Sequence, residues 1–201
     1  MDEAPGLALG YVTISIGIIL APTPPSHQGA VLSVRDVSPQ SVIVSGLWFS
    51  PRGGCEAALD AAIGSAKVSC LVQDYALADP NIEAALVSAR QRGVDVEVIL
   101  DSRWNKGDAK GMDVLLSGGV PVFLDAAHAI AHNKITIVDD QIVMTGSFNY
   151  TSSAENRNAE NLIELDSKEL ADRYTANWQV HRAHSVPAPM PATAGTISGG
   201  I

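Results

Sequence analysis

Apolar residues follow two alternating patterns between residues 41 and 183. Short apolar runs predict strands over 41–49, 68–77, 94–101, 120–125, 134–140, 141–147 and 161–166. Apolar residues at helical spacing predict helices over 53–67, 79–93 and 107–119, a further helix from about Ser153, and a last helix over 167–183. Because strands alternate with helices, the pattern predicts an α/β fold with a mixed β-sheet flanked by helices on both faces.

Local residue choices support several of these boundaries. The helix over 79–93 opens with Asp79-Pro80 and closes on Gly93, which are typical helix start and stop residues. Asp139 and Asp140 separate the strands over 134–140 and 141–147, and this arrangement predicts a hairpin.

The segment over 7–21, LALGYVTISIGIILA, is nearly uncharged and is followed by the proline-rich PTPPSHQGA. It predicts an export signal or a short membrane anchor, and hence a periplasmic, secreted or membrane-tethered protein. Asp2 and Glu3 stand where an export signal carries Lys or Arg, so a buried or artefactual extension stays open as the alternative.

Chain length and composition favour one domain with extensions. The chain has 201 residues and a mass of 21.0 kDa, long enough for one core and short for two independent domains. We expect the apolar segment and linker over 1–29, a folded domain over 30–184 and a disordered tail over 185–201. The tail carries no charge and is rich in Pro, Ala and Gly, so it buries too little surface to become ordered.

The net charge argues against broad binding to nucleic acid or anionic lipid, and the placement of the cysteines argues against a disulfide. The net charge is −9 and the sequence pI is near 4.8, which argues against a broad electrostatic surface for nucleic acid or anionic lipid but allows a local basic groove. Cys55 and Cys70 flank a predicted helix and the strand after it, so we expect them near opposite ends of that unit and without a disulfide.

Four polar residues within HAIAHNKITIVDDQIVMTGSFNY, residues 128–150, form a candidate phosphate site. His132 and Lys134 are two residues apart and are expected on one face of a strand, while Ser147 and Asn149 follow the next strand. Lysine supplies charge, serine and asparagine supply directional donors, and histidine supplies a nucleophile or proton carrier. No carboxylate or cysteine cluster with metal spacing accompanies them, so we expect phosphoryl chemistry without a metal or other cofactor.

The spacing of these residues resembles a known signature. His132-x-Lys134-x4-Asp139-x6-Gly146-Ser147-x-Asn149 matches the HKD motif of the phospholipase D superfamily at every position. Segments from FSPRGGCEAALDAAIGSAK to the closing NWQ are similar, in order, to the single-motif bacterial endonuclease branch with Nuc-type enzymes. The resemblance covers residues 42–182 and implies a phospholipase D-like sheet in a single domain.

The resemblance implies a covalent mechanism with a set of roles. His132 would attack phosphorus and form a phosphohistidine, and Glu160 would accept a hydrogen bond from His132 and fix its tautomer. Three residues would hold the non-bridging oxygens and stabilise charge in the transition state: Lys134, Ser147 and Asn149. Asp139 and Gly146 are interpreted as structural, with Asp139 facing away in a turn.

A single HKD motif implies a shared active site. In-line displacement needs a nucleophile on one side of phosphorus and a proton donor on the other, and one histidine cannot occupy both positions. A two-fold homodimer would supply His132 of a second subunit as general acid. His128 aligns with no catalytic position of the family.

The implied substrate is DNA and/or RNA, cleaved without sequence preference. A basic groove would draw on Arg52, Arg90, Arg92, Arg103, Lys106 and Lys110, with Trp48 or Trp104 stacking on bases, although solvated charges and core tryptophans explain them equally well. Two alternatives stay open: a lipid phosphodiesterase tethered to a membrane through residues 7–21, and a phosphate-binding module without turnover.

Overall fold

The computed structural model describes residues 42–105 and 110–191, without the side chain of Lys110. The apolar segment over 7–21, most of the predicted tail and Lys106 lie outside the described residues. Among the described helices, none combines the length and apolar character needed to cross a bilayer.

The described residues form eight strands and five helices, in an order close to the predicted one. The strands are β1 (Ile43–Ser50), β2 (Ser69–Asp74), β3 (Asp95–Asp101), β4 (Val122–Asp125), β5 (Lys134–Val138), β6 (Ile142–Gly146), β7 (Glu160–Asp166) and β8 (Val186–Pro187). The helices are α1 (Cys55–Ser65), α2 (Pro80–Gln91), α3 (Lys110–Ser117), α4 (Ser152–Asn156) and α5 (Lys168–His184). The side chain of Asp79 caps α2 by accepting from the backbone N–H of Asn81 and Ile82, which explains the Asp-Pro start.

The strands form one mixed sheet in the order β1-β7-β6-β5-β2-β3-β4-β8. Strands β2, β3 and β4 pair in parallel, because helices α2 and α3 return the chain between them. The other pairings are antiparallel, including the β5–β6 hairpin. The predicted mixed sheet is therefore confirmed.

Both faces of the sheet are covered by helices, as predicted. On β3, Val98 belongs to the core that contains residues of α1, α2 and α3, whereas the neighbouring Ile99 packs in a second core with Ala171 and Trp178 of α5. Successive strand residues point to opposite faces, so these two cores lie on opposite sides of the sheet. Trp178 also fixes α5 by donating from Nε1 to the carbonyl oxygen of Val72 at 2.9 Å.

The two cysteines are free and buried, which agrees with the expected absence of a disulfide. Cys55 opens α1 and Cys70 lies in β2. Burial raises the pKa of the Cys55 thiol to about 11 and that of Cys70 to about 12, so both stay protonated near neutral pH.

The ordered chain extends beyond the predicted start of the tail at residue 185. Strand β8 pairs with the edge of β4, and the N–H of Ala188 donates to the carbonyl oxygen of Val122 at 2.8 Å. Backbone hydrogen bonds order this short stretch, although its composition offers little apolar surface to bury. Pro187 is tolerated because β8 is an edge strand.

Asp139 and Asp140 form the tight turn of the β5–β6 hairpin, with φ values of 53° and 49°. The Asp139 carboxylate accepts hydrogen bonds from the backbone N–H of Lys67, Val68 and Ser69, at 2.9, 2.7 and 2.9 Å. Partial burial alone would raise the pKa of Asp139, but these N–H donors lower it. The carboxylate thus fastens the hairpin to the start of β2, as a structural residue would.

We expect Asp139→Ala to destabilise the fold by about 1.5–3 kcal/mol, because it leaves charge-assisted hydrogen bonds unmade. Asp140→Ala is the matched control, since its φ is also positive and, among the described residues, its carboxylate accepts from Thr175 Oγ1 alone. Urea unfolding measures both variants. The folded-state pKa of Asp139 is depressed, so its contribution is present above pH ~3.9 and disappears as pH falls through the folded value. Equal destabilisation by both variants at pH 7 would contradict the assigned role.

Candidate active site

The candidate site residues lie along one edge of the sheet. Strand β5 begins at Lys134 directly opposite Asp74, the last residue of β2. Strand β6 ends at Gly146 on the other side of β5, and β7 begins at Glu160 beside it. Antiparallel pairing therefore brings the start of β5 and β7 to the same edge as the ends of β2 and β6.

His132 lies in the loop before β5 rather than in the strand itself, and its side chain is exposed. Its ring packs against Tyr75 with 4.9 Å between ring centroids. Lys134 Nζ lies 5.3 Å from the centroid of the same tyrosine ring and donates to the carbonyl oxygen of His132 at 2.8 Å. Tyr75 thus joins the candidate nucleophile to the candidate phosphate-binding lysine.

Lys134 is only 5 % exposed and faces a buried carboxyl group. Burial lowers the pKa of Lys134, and the nearby negative charges of Asp74 and Glu160 offset part of that effect. Burial also raises the pKa of Asp74 well above its usual range, although N–H groups of Tyr150 and Ala76 donate to it. The site therefore contains a desolvated cation, which interacts more strongly with a phosphate than a solvated lysine does.

Glu160 contacts Ser147 instead of His132. Its Oε2 accepts from Ser147 Oγ at 2.6 Å, and its Oε1 accepts from Asn158 Nδ2 at 3.2 Å. No hydrogen bond joins Glu160 to His132 within the described part of the chain, in contrast to the interaction that the resemblance implies. The reason is local: Ser147 directly follows β6 beside the start of β7, so its hydroxyl is the nearest donor, while His132 packs on Tyr75.

Gly146 allows the backbone of β7 to approach the turn that carries Ser147. A Cβ at Gly146 would lie 2.1 Å from the carbonyl oxygen of Asn161. The same oxygen accepts from the N–H of Ser147 and Phe148 at 3.1 and 3.3 Å. A side chain at position 146 would therefore clash with the backbone of β7.

Asn149 lines a cleft of about 350 Å³ together with Tyr75, Trp104 and the start of α4. Its Oδ1 is buried and has no hydrogen-bond partner among the described residues. Trp104 is 41 % exposed and its ring centroid lies 6.1 Å from that of Tyr75. Trp48, in contrast, packs against the main core. The cleft therefore combines an aromatic wall with an unpaired polar group.

Two of the arginines proposed for the basic groove, Arg90 and Arg92, lie away from this edge of the sheet. Arg90 pairs with Asp95 at 3.3 Å, and Arg92 donates to the carbonyl oxygen of Ile63 at 3.2 Å. Both arginines stabilise helix ends at the start of β3, opposite the site. Arg103 is different, since its Nη1 donates to the carbonyl oxygen of Ala129 in the loop before His132. Arg52 follows β1 at the end where Ser50 pairs with Glu160, and its backbone N–H donates to the carbonyl oxygen of Glu155. The side chains of Lys106 and Lys110 lie outside the described residues.

A second polar cluster at the end of β4 was not predicted. Asp125, His128, His181 and His184 bring one possible ligand atom each to within 4.8 Å of one another. The sequence contains two signs of it, Asp-x-x-His directly after a strand and His-x-x-His on one helix face. Tyr75 and Asp74 were also missed, because a Tyr after an apolar strand resembles an ordinary core residue.

Three comparisons place this geometry among known proteins. Residues 59–181 match the family model described as "Cardiolipin synthase, PLD-like domain". A phospholipase D of Rickettsia bellii is 39% identical over 137 residues, which are 68% of each chain. Nuc of Salmonella typhimurium, a phospholipase D family member of known structure, is 36% identical with a TM-score of 0.70, over 74% of this chain and 97% of its own. A mitochondrial cardiolipin hydrolase of Xenopus tropicalis is 31% identical over 100 residues, 50% of this chain and 48% of its own.

The matched span includes the complete signature and the cleft beside it. It runs from α1 into α5 and contains both His132 and Glu160. The sequence resemblance and the fold agree with these comparisons. The chain therefore belongs to the phospholipase D superfamily and is a hydrolase of phosphodiester bonds.

Proposed function

We propose that the chain is an endonuclease that cleaves DNA and/or RNA without sequence preference and without a metal, through a phosphohistidine at a dimeric site. The observation that carries the proposal is the placement of exposed His132 and buried Lys134 on Tyr75, at a cleft with Trp104 in its wall. Aromatic rings at a phosphate site suit single-stranded nucleic acid, because bases stack on them in a sequence-tolerant way. The similarity to Nuc supports the same reading.

His132 begins the reaction with a ring nitrogen that carries a lone pair. The nitrogen attacks phosphorus, a P–N bond forms, and the P–O bond to the leaving group breaks on the opposite side. The leaving oxygen takes a proton from His132 of the partner subunit, which is protonated at this stage. That second imidazole then removes a proton from water, and the water oxygen displaces His132 from phosphorus.

Stabilisation of the phosphoryl oxygens falls to Lys134, Ser147 and Asn149. Lys134 is already desolvated, so little solvent must be removed when the phosphate arrives. The Ser147 hydroxyl donates to Glu160 in the structure and must rotate to donate to a phosphate. The same rotation frees Glu160, which can then accept from His132 and orient it as the family resemblance implies.

The surface around His132 supports a two-fold contact. Ile130, two residues earlier in the same loop, is 55 % exposed, and Trp104 near Tyr75 is 41 % exposed. Aromatic side chains are enriched in protein–protein interfaces, and Trp104 is one of these two exposed residues. A second copy placed there would bring its own His132 to the shared phosphate.

A lipid phosphodiesterase is the second candidate, favoured by a specific observation. The similar proteins of Rickettsia bellii and Xenopus tropicalis are named phospholipase D and mitochondrial cardiolipin hydrolase. Under this candidate, and under export in general, residues 7–21 would tether or direct the chain, as we propose from their apolar character. The net charge of −9 repels nucleic acid most strongly at low salt, where the repulsion is least screened.

The test is a side-by-side assay of the purified chain on single-stranded DNA, plasmid DNA, RNA and vesicles of phosphatidylcholine or cardiolipin. We expect turnover on nucleic acid to exceed turnover on either lipid by roughly 10²-fold or more in kcat/KM, about 3 kcal/mol in transition-state binding. Trp104→Ala should raise KM for nucleic acid, because base stacking is worth about 1–3 kcal/mol per base. Exclusive lipid turnover would transfer the proposal to the second candidate.

We also expect nuclease turnover to survive excess EDTA at a temperature well below the melting transition. The roles that a metal would play, oxygen polarisation and nucleophile generation, are assigned here to Lys134 and His132. The measurement compares initial rates before and after dialysis against chelator, with circular dichroism to verify that the chain stays folded. Loss of turnover in the folded chain, restored by added Mg²⁺, would rule out the histidine mechanism.

A further inference from the structure

We propose that Asp125, His128, His181 and His184 bind one Zn²⁺ ion per chain at a structural site separate from the phosphodiesterase residues. Asp125 is the last residue of β4, and His128 follows in the loop over 126–133. His181 and His184 lie in the final turns of α5. Three separate elements of the fold therefore meet at one point.

The three histidine rings converge on the carboxylate of Asp125. Asp125 Oδ2 lies 2.8 Å from His181 Nδ1, 3.2 Å from His128 Nδ1 and 3.2 Å from His184 Nε2, and His128 Nδ1 is also 3.3 Å from Oδ1. The three imidazole rings contact each other, with centroid separations of 4.8, 5.2 and 5.4 Å. The potential ligand atoms are all within 4.8 Å of one another.

Hydrogen bonding alone explains this arrangement poorly. An ionised carboxylate offers about two lone-pair directions per oxygen, and Oδ2 has three ring nitrogens within 3.2 Å, although that of His128 is also 3.3 Å from Oδ1. In tetrahedral zinc sites with bonds of about 2.0–2.1 Å, ligand atoms stand about 3.3 Å apart. Changes in side-chain rotamer that move the ligand atoms by about 1 Å would bring them from their present positions to that spacing.

The chemistry of the donors selects the ion. Three imidazoles with one carboxylate suit Zn²⁺ among divalent cations, whereas Mg²⁺ and Ca²⁺ prefer oxygen ligands. Asp125 is buried beside the three imidazoles, with its Oδ2 within hydrogen-bond distance of a nitrogen of each ring. The Ala127 N–H donates to Oδ1 at 2.9 Å. Hydrogen bonds of this kind commonly orient the carboxylates that bind metal ions.

The position of the cluster gives the ion a structural task. The cluster lies at the end of β4, three strands from β5, or roughly 14 Å at the usual strand spacing. An ion bound there would therefore not contact the reacting phosphate. The loop over 126–133 runs from Asp125 to His132 and contains His128. An ion there would anchor the loop that carries the nucleophile to the end of α5. His128 has a side chain that is 46 % exposed, which leaves a path from solvent.

Metal binding is measured directly, without an activity assay, on the full chain freed of any affinity tag. The protein is stripped with chelator and titrated with Zn²⁺ against a chromophoric chelator, and bound zinc is counted by mass spectrometry after dialysis. We expect one ion per chain and a rise in melting temperature of roughly 5 °C or more at saturating Zn²⁺. Co²⁺ in place of Zn²⁺ should give the intense visible bands of a tetrahedral site.

Two variants separate this site from the catalytic one. His181→Gln/His184→Gln should lose the bound ion and the zinc-dependent rise in melting temperature, whereas His132→Asn should keep both. A wild-type chain that retains no zinc, or a double variant that binds zinc as the wild type does, would overturn the proposal. If the double variant fails to fold, the Co²⁺ spectrum of the wild type decides, since octahedral or absent bands contradict the site. These outcomes are independent of which phosphodiester the chain hydrolyses.

Discussion

Replacing His132 with Asn removes turnover and leaves the fold intact. The expected loss in kcat is roughly 10⁴-fold or more, because the covalent route disappears and only binding and charge stabilisation remain. The fold should tolerate the change, since His132 is exposed and lies in a loop before β5. The measurement is single-turnover cleavage together with thermal unfolding of the same preparations.

His128→Asn is the matched control for this prediction. It makes the same substitution four residues earlier in the same loop, at a side chain that contacts Asp125 and not Tyr75. We expect its kcat to stay within about tenfold of the wild type when measured below its melting transition. Near-normal turnover in His132→Asn would show that the nucleophile lies elsewhere, and an equal loss in both variants would point to loop disruption.

Excess His132→Asn chains should inactivate wild-type chains by forming mixed dimers. In a mixed dimer the wild-type His132 can attack phosphorus, but the opposing imidazole that serves as acid and base is missing. The expected cost is roughly 10²- to 10⁴-fold in rate at such a site. With a ninefold mutant excess and random exchange, activity per wild-type chain should fall to about one tenth, because most wild-type chains then have a mutant partner.

Subunit exchange must be verified independently, for example by native mass spectrometry of isotopically labelled chains. An excess of Lys168→Met chains serves as the control, because Lys168 pairs with Asp172 on the exposed surface of α5 and lies outside the site. Mixing with this variant should leave activity per wild-type chain unchanged. If mixing with His132→Asn also leaves it unchanged after complete exchange, each subunit works alone and the shared site is wrong.

The fold was largely predictable because its strands and helices carry strong local patterns. The Asp79-Pro80 start of α2 and the Asp139-Asp140 turn are encoded by residues whose side chains and φ values determine the backbone there. The pairing of β8 with β4 was missed, because a two-residue edge strand is held by backbone hydrogen bonds that leave no apolar pattern.

The site was predictable only where residues are close in sequence. His132, Lys134, Ser147 and Asn149 lie within 18 positions, so their spacing is visible in the chain itself. Tyr75 reaches His132 through the β2–β5 pairing, which depends on the sheet order and not on local sequence. The histidines of α5 meet Asp125 for the same reason, since the helix must first cross one face of the sheet. Long-range contacts of this kind follow from packing, and a single sequence does not display them.

The stereochemical course at phosphorus tests the covalent mechanism most directly. A chiral phosphorothioate diester is hydrolysed in water enriched in oxygen-18, and the configuration of the product is determined by NMR. Two successive in-line displacements, first by His132 and then by water, each invert phosphorus, so we expect net retention. Net inversion would mean that water attacks the substrate directly, and it would contradict a phosphohistidine intermediate whatever the substrate class.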